Sequence, residues 1–138
     1  MISERLVASM DELVRELNVL PNHFAFRGQA NADWGLTSTL ERVIGRKWSA
    51  ENARRFESYS LQVFQSKYHI YRGSEPIPTP KLSWLSVMQH YGLPTRLIDF
   101  TTSPYIALYF ALETYDPLSQ SDFAVYAVDY TAVMEASI

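Results

Sequence analysis

The 138-residue chain contains no cysteine, which excludes disulfide scaffolds and zinc sites built on thiolates. It also has no apolar run near the roughly 20 residues that span a bilayer, and its charged N-terminus does not resemble a secretory signal. The three histidines, His23, His69 and His90, are far apart and form no H-E-x-x-H metal motif. We therefore expect a soluble cytoplasmic protein without a metal centre.

An excess of positive charge is missing as well. Twelve Lys and Arg face fifteen Asp and Glu, which gives a formal net charge of -3. A surface that attracts nucleic acid as a whole is therefore not expected, although a local basic patch stays open. The basic runs "GRK" (45–47) and "ARR" (53–55) are each too short to predict nucleic-acid binding. The length and the 47% hydrophobic content predict one folded domain over residues 1–138.

Helical periodicity dominates the chain, and most helices have recognisable ends. Ser49 is a candidate N-cap of a long helix, Ser103 caps a later one with Pro104 in its first turn, and Gly92 ends the helix before that. The predicted helices are Ser3–Leu17, a short one within 36–44, one from Ser49 to Tyr71, Lys81–Tyr91 and Pro104–Tyr115.

Three segments have strand character. They are His23–Arg27, Arg96–Phe100 and Phe123–Tyr130, and the last is apolar on both faces, as a central strand would be. Together with the helices they predict a mixed α/β (α+β) fold. The residues after Tyr130 give no clear signal.

The stretch "QHYGLPTRLIDFTTSPYIALYFA" (89–111) crowds polar residues between two helical patterns. Thr101, Thr102 and Ser103 lie where the second strand would run into a helix, and a helix N-terminus offers unpaired N–H groups to an anion. Capping of that helix is the simpler role for Ser103. Within the strand, Arg96 and Asp99 are expected to satisfy each other as a charge pair.

Arg27 stands at the end of the first strand beside Gly28. A guanidinium next to bare backbone can bind an anion, although an arginine before a turn glycine is often only solvated. His90, Asp99 and Ser103 are the residue types of a hydrolase triad, but no G-x-S-x-G elbow surrounds the serine.

The segments "FAFRGQANADWGLTSTLER" and "QHYGLPTRLIDFTTSPYIALYFA" together resemble the FRG domain family, in which Phe26-Arg27-Gly28 would be the namesake motif. The resemblance is strongest over residues 24–111. The motifs are also similar to those of NAD-dependent ADP-ribosyltransferases of the arginine-serine-glutamate branch. That similarity implies a mixed sheet flanked by helices and NAD as a co-substrate.

By this resemblance, Arg27 would bind the phosphate or ribose of NAD, and Gly28 would offer backbone to the nicotinamide amide. Thr101, Thr102 and Ser103 would stand in place of the Ser-Thr-Ser motif. The glutamate of the branch has no counterpart, so no catalytic residue is assigned. A chain truncated at its C-terminus, a natural short form and a domain without the carboxylate all fit this absence.

The sequence leaves three functions open. The domain is an enzyme that transfers ADP-ribose to a protein target or hydrolyses NAD, or it is a module that binds a nucleotide or phosphate without chemistry. The third interpretation is a protein-interaction module that needs no small ligand.

Overall fold

A computed structural model describes residues 2–138 as two compact units. Unit 1 comprises the chain up to Gly35 and from Asp99 onwards, and unit 2 comprises Leu36–Ile98. The α+β class is confirmed, while the prediction of a single domain over 1–138 stays a prediction. In chain order the elements are α1 (Met10–Asn18), β1 (Phe24–Gln29), α2 (Thr39–Ile44), a 3-10 turn (Gly45–Lys47), α3 (Ala50–Tyr71), α4 (Lys81–His90), α5 (Pro104–Glu113), β2 (Ala124–Asp129) and α6 (Tyr130–Ala136).

The sheet is smaller than expected. Among the described residues it consists of β1 and β2 alone, paired antiparallel with Phe24 opposite Asp129 and Gln29 opposite Ala124. The expected mixed sheet is therefore not seen. The placement of β2 as a central strand is wrong, because β2 pairs only with β1 and none of its residues is buried.

The predicted strand Arg96–Phe100 is also wrong. Side-chain contacts hold this segment instead of a backbone ladder: Arg96 binds a carboxylate of α3, and the Leu97 N–H donates to the Thr95 hydroxyl at 3.2 Å. Only Thr101, just beyond the segment, forms a strand-like bridge, and it does so with Phe26.

Capping residues explain where the helices begin. The hydroxyls of Ser49 and Ser103 accept hydrogen bonds from the N–H groups of Asn52 and Ile106, at 3.0 and 3.4 Å, as predicted. The first helix begins at Met10 rather than Ser3, because Ser9 is its cap and Glu12 reaches back to the N–H of Ala8.

The buried residues of α3 are Glu57, Phe64 and Tyr68, and those of α4 are Trp84, Leu85 and Met88. The rings of Phe64 and Tyr68 meet Trp84 edge-on, at centroid distances of 6.2 and 5.2 Å. Unit 2 thus packs α3 against α4 through aromatic contacts.

The core of unit 1 lies on one face of the sheet. Its buried members are Leu17 of α1, Phe26 of β1 and Ala107 of α5. The small side chain of Ala107 lets α5 lie directly against β1, and this close approach determines the geometry of the site described below.

Glu57 is a buried carboxylate in unit 2, with a side chain only 2% exposed. Arg96 binds it with two hydrogen bonds of 2.6 Å, and the ammonium of Lys81 lies 3.0 Å away. The expected pairing of Arg96 with Asp99 is therefore wrong, and Asp99 is exposed. The ion pairs tie α3 to the start of α4 and to the segment after it.

Burial alone raises the pKa of Glu57, but the hydrogen bonds from Arg96 and Lys81 outweigh it and leave the pKa below its ordinary value. A carboxylate whose pKa is depressed by folding stabilises the fold fully above its unfolded-state pKa, about 4.3. This stabilisation is lost as the pH falls through the folded-state value.

We predict that Glu57→Gln lowers the free energy of unfolding by about 2 kcal/mol at pH 7, because it leaves Arg96 without its ionic partner. Urea unfolding followed by tryptophan fluorescence measures the loss, and Glu75→Gln, an exposed site without an ion pair, is the control. The cost of Glu57→Gln should shrink below about pH 4. An equal cost at pH 7 and in acid would contradict the ionic role.

Candidate functional site

Phe26 and Thr101 exchange two backbone hydrogen bonds, with N···O distances of 2.6 Å and 2.8 Å. This antiparallel bridge brings the strand that carries Arg27 next to the segment 99–103 that leads into α5. The two segments singled out in the sequence therefore meet within unit 1.

The guanidinium of Arg27 lies over this junction. Its Nη1 donates to the carbonyl of Asp99 at 3.0 Å, and its Nε donates to Oε1 of Gln29 at 3.2 Å. Among residues 2–138 no carboxylate lies within ion-pair distance of it, and Nη2 donates to no group. Arg27 is thus positioned by neutral acceptors and keeps its charge available.

Gln29 and Tyr126 lie on the same face of the sheet as Arg27, and neither was predicted as a site residue. Gln29 is buried, and its amide nitrogen donates to the carbonyl of Trp34 at 2.9 Å. The hydroxyl of Tyr126, which stands opposite Arg27, donates to the same carbonyl at 2.9 Å. The two-residue alternation of a strand, which puts Arg27 and Gln29 on one face, is the signal that could have found Gln29.

Gly28 is required by packing. A Cβ at this position would overlap the carbonyl oxygen of Ala107 and lie 2.7 Å from the amide nitrogen of Ala111, both in α5. A side chain of any kind would therefore force α5 away from β1.

The backbone of Gly28 also presents polar groups. Phe26 bonds Thr101 at the edge of β1 that faces away from β2. Backbone groups of alternate residues in a strand point to the same edge, so the N–H and C=O of Gly28 also point away from β2. The bridge does not extend to Gly28. Within residues 2–138, no group outside the sheet forms a hydrogen bond with the N–H or C=O of Gly28 at this edge. The carbonyl of Asp99, which a longer ladder would pair with Gly28, accepts from Arg27 instead.

The three hydroxyls after the bridge differ in what they do. Thr101 accepts from the N–H of Ser103 at 3.1 Å, and Ser103 caps α5. Each of these hydroxyls still has its O–H to donate. Thr102 is exposed and makes no side-chain hydrogen bond with the described residues.

Two acidic residues of unit 1, Asp129 and Glu113, contact residues of their own segments. Asp129 pairs with Phe24, at the opposite end of β1 from Gly28, and caps α6. Its pKa is lowered by hydrogen bonds from Thr131 and Ala132. Glu113 lies at the end of α5 and accepts from the Tyr109 hydroxyl at 3.4 Å.

Arg27 is unusual in the charge pattern of unit 1. This unit carries three Lys and Arg and eleven Asp and Glu, a formal net charge of -8. The other two cations are Arg5, paired with Glu16 at 2.8 Å, and Arg15 in α1. Arg27 is therefore the cation of unit 1 that contacts the segment of the bridge.

A family model for the FRG domain matches residues 22–120, which include the whole of β1, the bridge at Thr101 and α5. The chain belongs to the FRG domain family. In its Phe26-Arg27-Gly28 motif, Phe26 is a core residue and Arg27 is a cation without a carboxylate partner. Gly28 leaves the space that α5 occupies. Neither the curated proteins nor the solved structures gave a match to this FRG domain.

Within residues 2–138 of the FRG domain, no helix combines the length and the apolar composition needed to cross a membrane. The same range contains no cluster of three or more metal-ligating side chains.

We predict that Gly28→Ala destabilises the FRG domain by about 3 kcal/mol, because the added methyl group overlaps the backbone of α5. Gly73→Ala is the matched control: Gly73 has a φ of 57° but open space around it, so the change costs only about 1 kcal/mol. Urea denaturation measures both. Equal losses in the two variants would show that α5 does not constrain Gly28.

Proposed function

We propose that unit 1 of this FRG domain binds NAD at the edge of β1, around Arg27 and Gly28. The observation that supports this most is the Phe26–Thr101 bridge, which puts a guanidinium, an unbonded backbone edge and a row of hydroxyls side by side. NAD offers a diphosphate, a carboxamide and ribose hydroxyls, and each has a matching group in this set.

Arg27 takes the diphosphate in this proposal. A hydrogen bond between ionised partners is about twice as strong as a neutral one, and the Nη2 of Arg27 is available for it. The O–H groups of Thr101 and Ser103 add neutral donors at the start of α5.

Gly28 takes the nicotinamide carboxamide. A primary amide carries one carbonyl acceptor and an NH₂ donor, so it can pair with the N–H and the C=O of a single residue. Gly28 is the residue of β1 that presents both groups at the edge past the bridge.

The chemistry proposed for this site is transfer of ADP-ribose or hydrolysis of NAD. The bond between the ribose C1′ and the nicotinamide nitrogen breaks, and its electron pair leaves with nicotinamide. A target nucleophile or water then bonds to C1′ and gives up a proton. A carboxylate near the ribose would stabilise the positive charge that develops there.

A second candidate is binding of NAD or another nucleotide without bond cleavage. It is favoured by the position of Asp129, which caps α6 at the opposite end of β1 from Gly28. Asp99 is an acidic residue whose backbone contacts Arg27, and its exposed side chain is the carboxylate that we choose to test.

We predict that NAD raises the melting temperature of the protein, since a ligand that binds only the folded state stabilises it. Arg27→Ala should weaken NAD binding about 10- to 100-fold, the value of a charge-assisted hydrogen bond. Arg15→Ala, which removes another cation of unit 1, is the control and should bind like the parent protein. Calorimetric titration with NAD gives the three affinities.

Nicotinamide release, followed by chromatography of the same mixtures, separates the two candidates. Release that Arg27→Ala and Asp99→Asn both abolish, with the fold intact, favours the enzyme. Binding without release favours the second candidate. Absence of NAD binding, or equal losses in Arg27→Ala and Arg15→Ala, would overturn the proposed site.

A further inference from the structure

The net charge of -3 conceals a strongly basic part of the chain. Unit 2 carries nine Lys and Arg and four Asp and Glu, which is a net charge of +5. One of its four acidic residues, Glu57, is buried and neutralised by Arg96 and Lys81. Outside this group, unit 2 has seven Lys and Arg against three Asp and Glu, so the rest of the unit is also positively charged.

The two short basic runs of the sequence converge on one groove of unit 2. Lys47 from the first run and Arg54 and Arg55 from the second line a groove of about 910 Å³ between the 3-10 turn and α3. No acidic residue lines it. Runs that are separately too short to indicate a polyanion site thus form one basic surface in the fold.

These three cations have no carboxylate partner among residues 2–138. Arg54 donates through Nε to a carbonyl of its own helix, that of Ala50, at 3.2 Å. Lys47 and Arg55 are exposed and make no side-chain hydrogen bond within the same range. An anion in the groove would gain ion pairs without breaking existing ones.

An aromatic ring stands among the cations. Tyr59 is 71% exposed and lies one helical turn after Arg55, on the same face of α3. Asn52 and Gln62 follow the same helical spacing and also line the groove. Along this face of α3 the groups are therefore the amide of Asn52, the guanidinium of Arg55, the ring of Tyr59 and the amide of Gln62.

We propose that this groove binds single-stranded nucleic acid. Every nucleotide offers a phosphate for the cations and a planar base for the ring of Tyr59, whereas an acidic peptide supplies only the charge. A duplex keeps its bases stacked inside, out of reach of a tyrosine on a helix surface. The proposal does not depend on NAD binding by unit 1.

Fluorescence anisotropy of a labelled 15-nucleotide deoxythymidine strand, titrated with the full chain, tests the proposal. We expect binding that weakens as salt rises, because phosphate contacts release counterions. Arg54→Gln/Arg55→Gln should weaken binding at least 10-fold and reduce the salt slope by about two. Lys47→Gln should weaken it by more than Lys67→Gln, a matched loss of one charge on α3 outside the groove.

Tyr59 separates a nucleic-acid site from a merely basic surface. Tyr59→Ala should weaken binding about 5- to 100-fold, and Tyr59→Phe should restore it, because base stacking needs only the ring. Circular dichroism and the melting temperature verify that each variant is folded.

Four results would overturn the proposal. They are no binding at 50 mM salt (a low ionic strength at which phosphate contacts are strong), equal binding by Lys47→Gln and Lys67→Gln, unchanged binding by Tyr59→Ala, and competition by poly-glutamate as effective as that by the unlabelled strand. The last would assign the groove to an acidic protein partner. A variant that proves unfolded is replaced by Lys47→Gln, which removes an exposed side chain.

Discussion

The pairing of Phe26 with Thr101 is the constraint on which the site of unit 1 depends. Its two hydrogen bonds bring together residues that are 75 positions apart in the chain, and α5 begins only a few residues after Thr101. The helix must then run back across β1, and only a glycine at position 28 lets it pass so closely. This crossing brings together the Arg27 guanidinium, the backbone edge of Gly28 and the hydroxyls of residues 101–103.

Unit 2 depends on a different interaction, the burial of a single carboxylate. Glu57 faces inward and binds Arg96 and Lys81, while Arg54 and Arg55 of the same helix face the groove. Had Glu57 been exposed, it would have stood within one helical turn of both arginines and weakened the basic face. The pair that stabilises the unit thus also keeps an acidic group away from the groove.

Local signals predicted five of the six α-helices found in residues 2–138, although α1 starts later than predicted and α6 was missed. Contacts between distant residues decided the rest. Ser49, Ser103 and Pro104 set helix starts through contacts within one turn, so the sequence contains the whole signal. The segment from Arg96 to Phe100 has strand composition, but Glu57, 39 positions before Arg96, fixes it by an ion pair. The proximity of Arg27 to Thr101 was expected from the family resemblance, and strand alternation could have indicated Gln29. The position of Tyr126 depends on the pairing of β1 with β2, which no local signal gives.

The opposite charges of the units give the two proposed sites different electrostatic environments. At physiological salt the Debye length is about 8 Å, so distant charges are screened while groups in contact are not. For NAD at Arg27, screening removes repulsion from the carboxylates of unit 1 and leaves the contact with the guanidinium. For a polyanion in the groove of unit 2, screening weakens the attraction of distant cations and leaves the contacts with Lys47, Arg54 and Arg55. The groups in contact at each proposed site, and not the net charge of -3, therefore decide which anion would bind there.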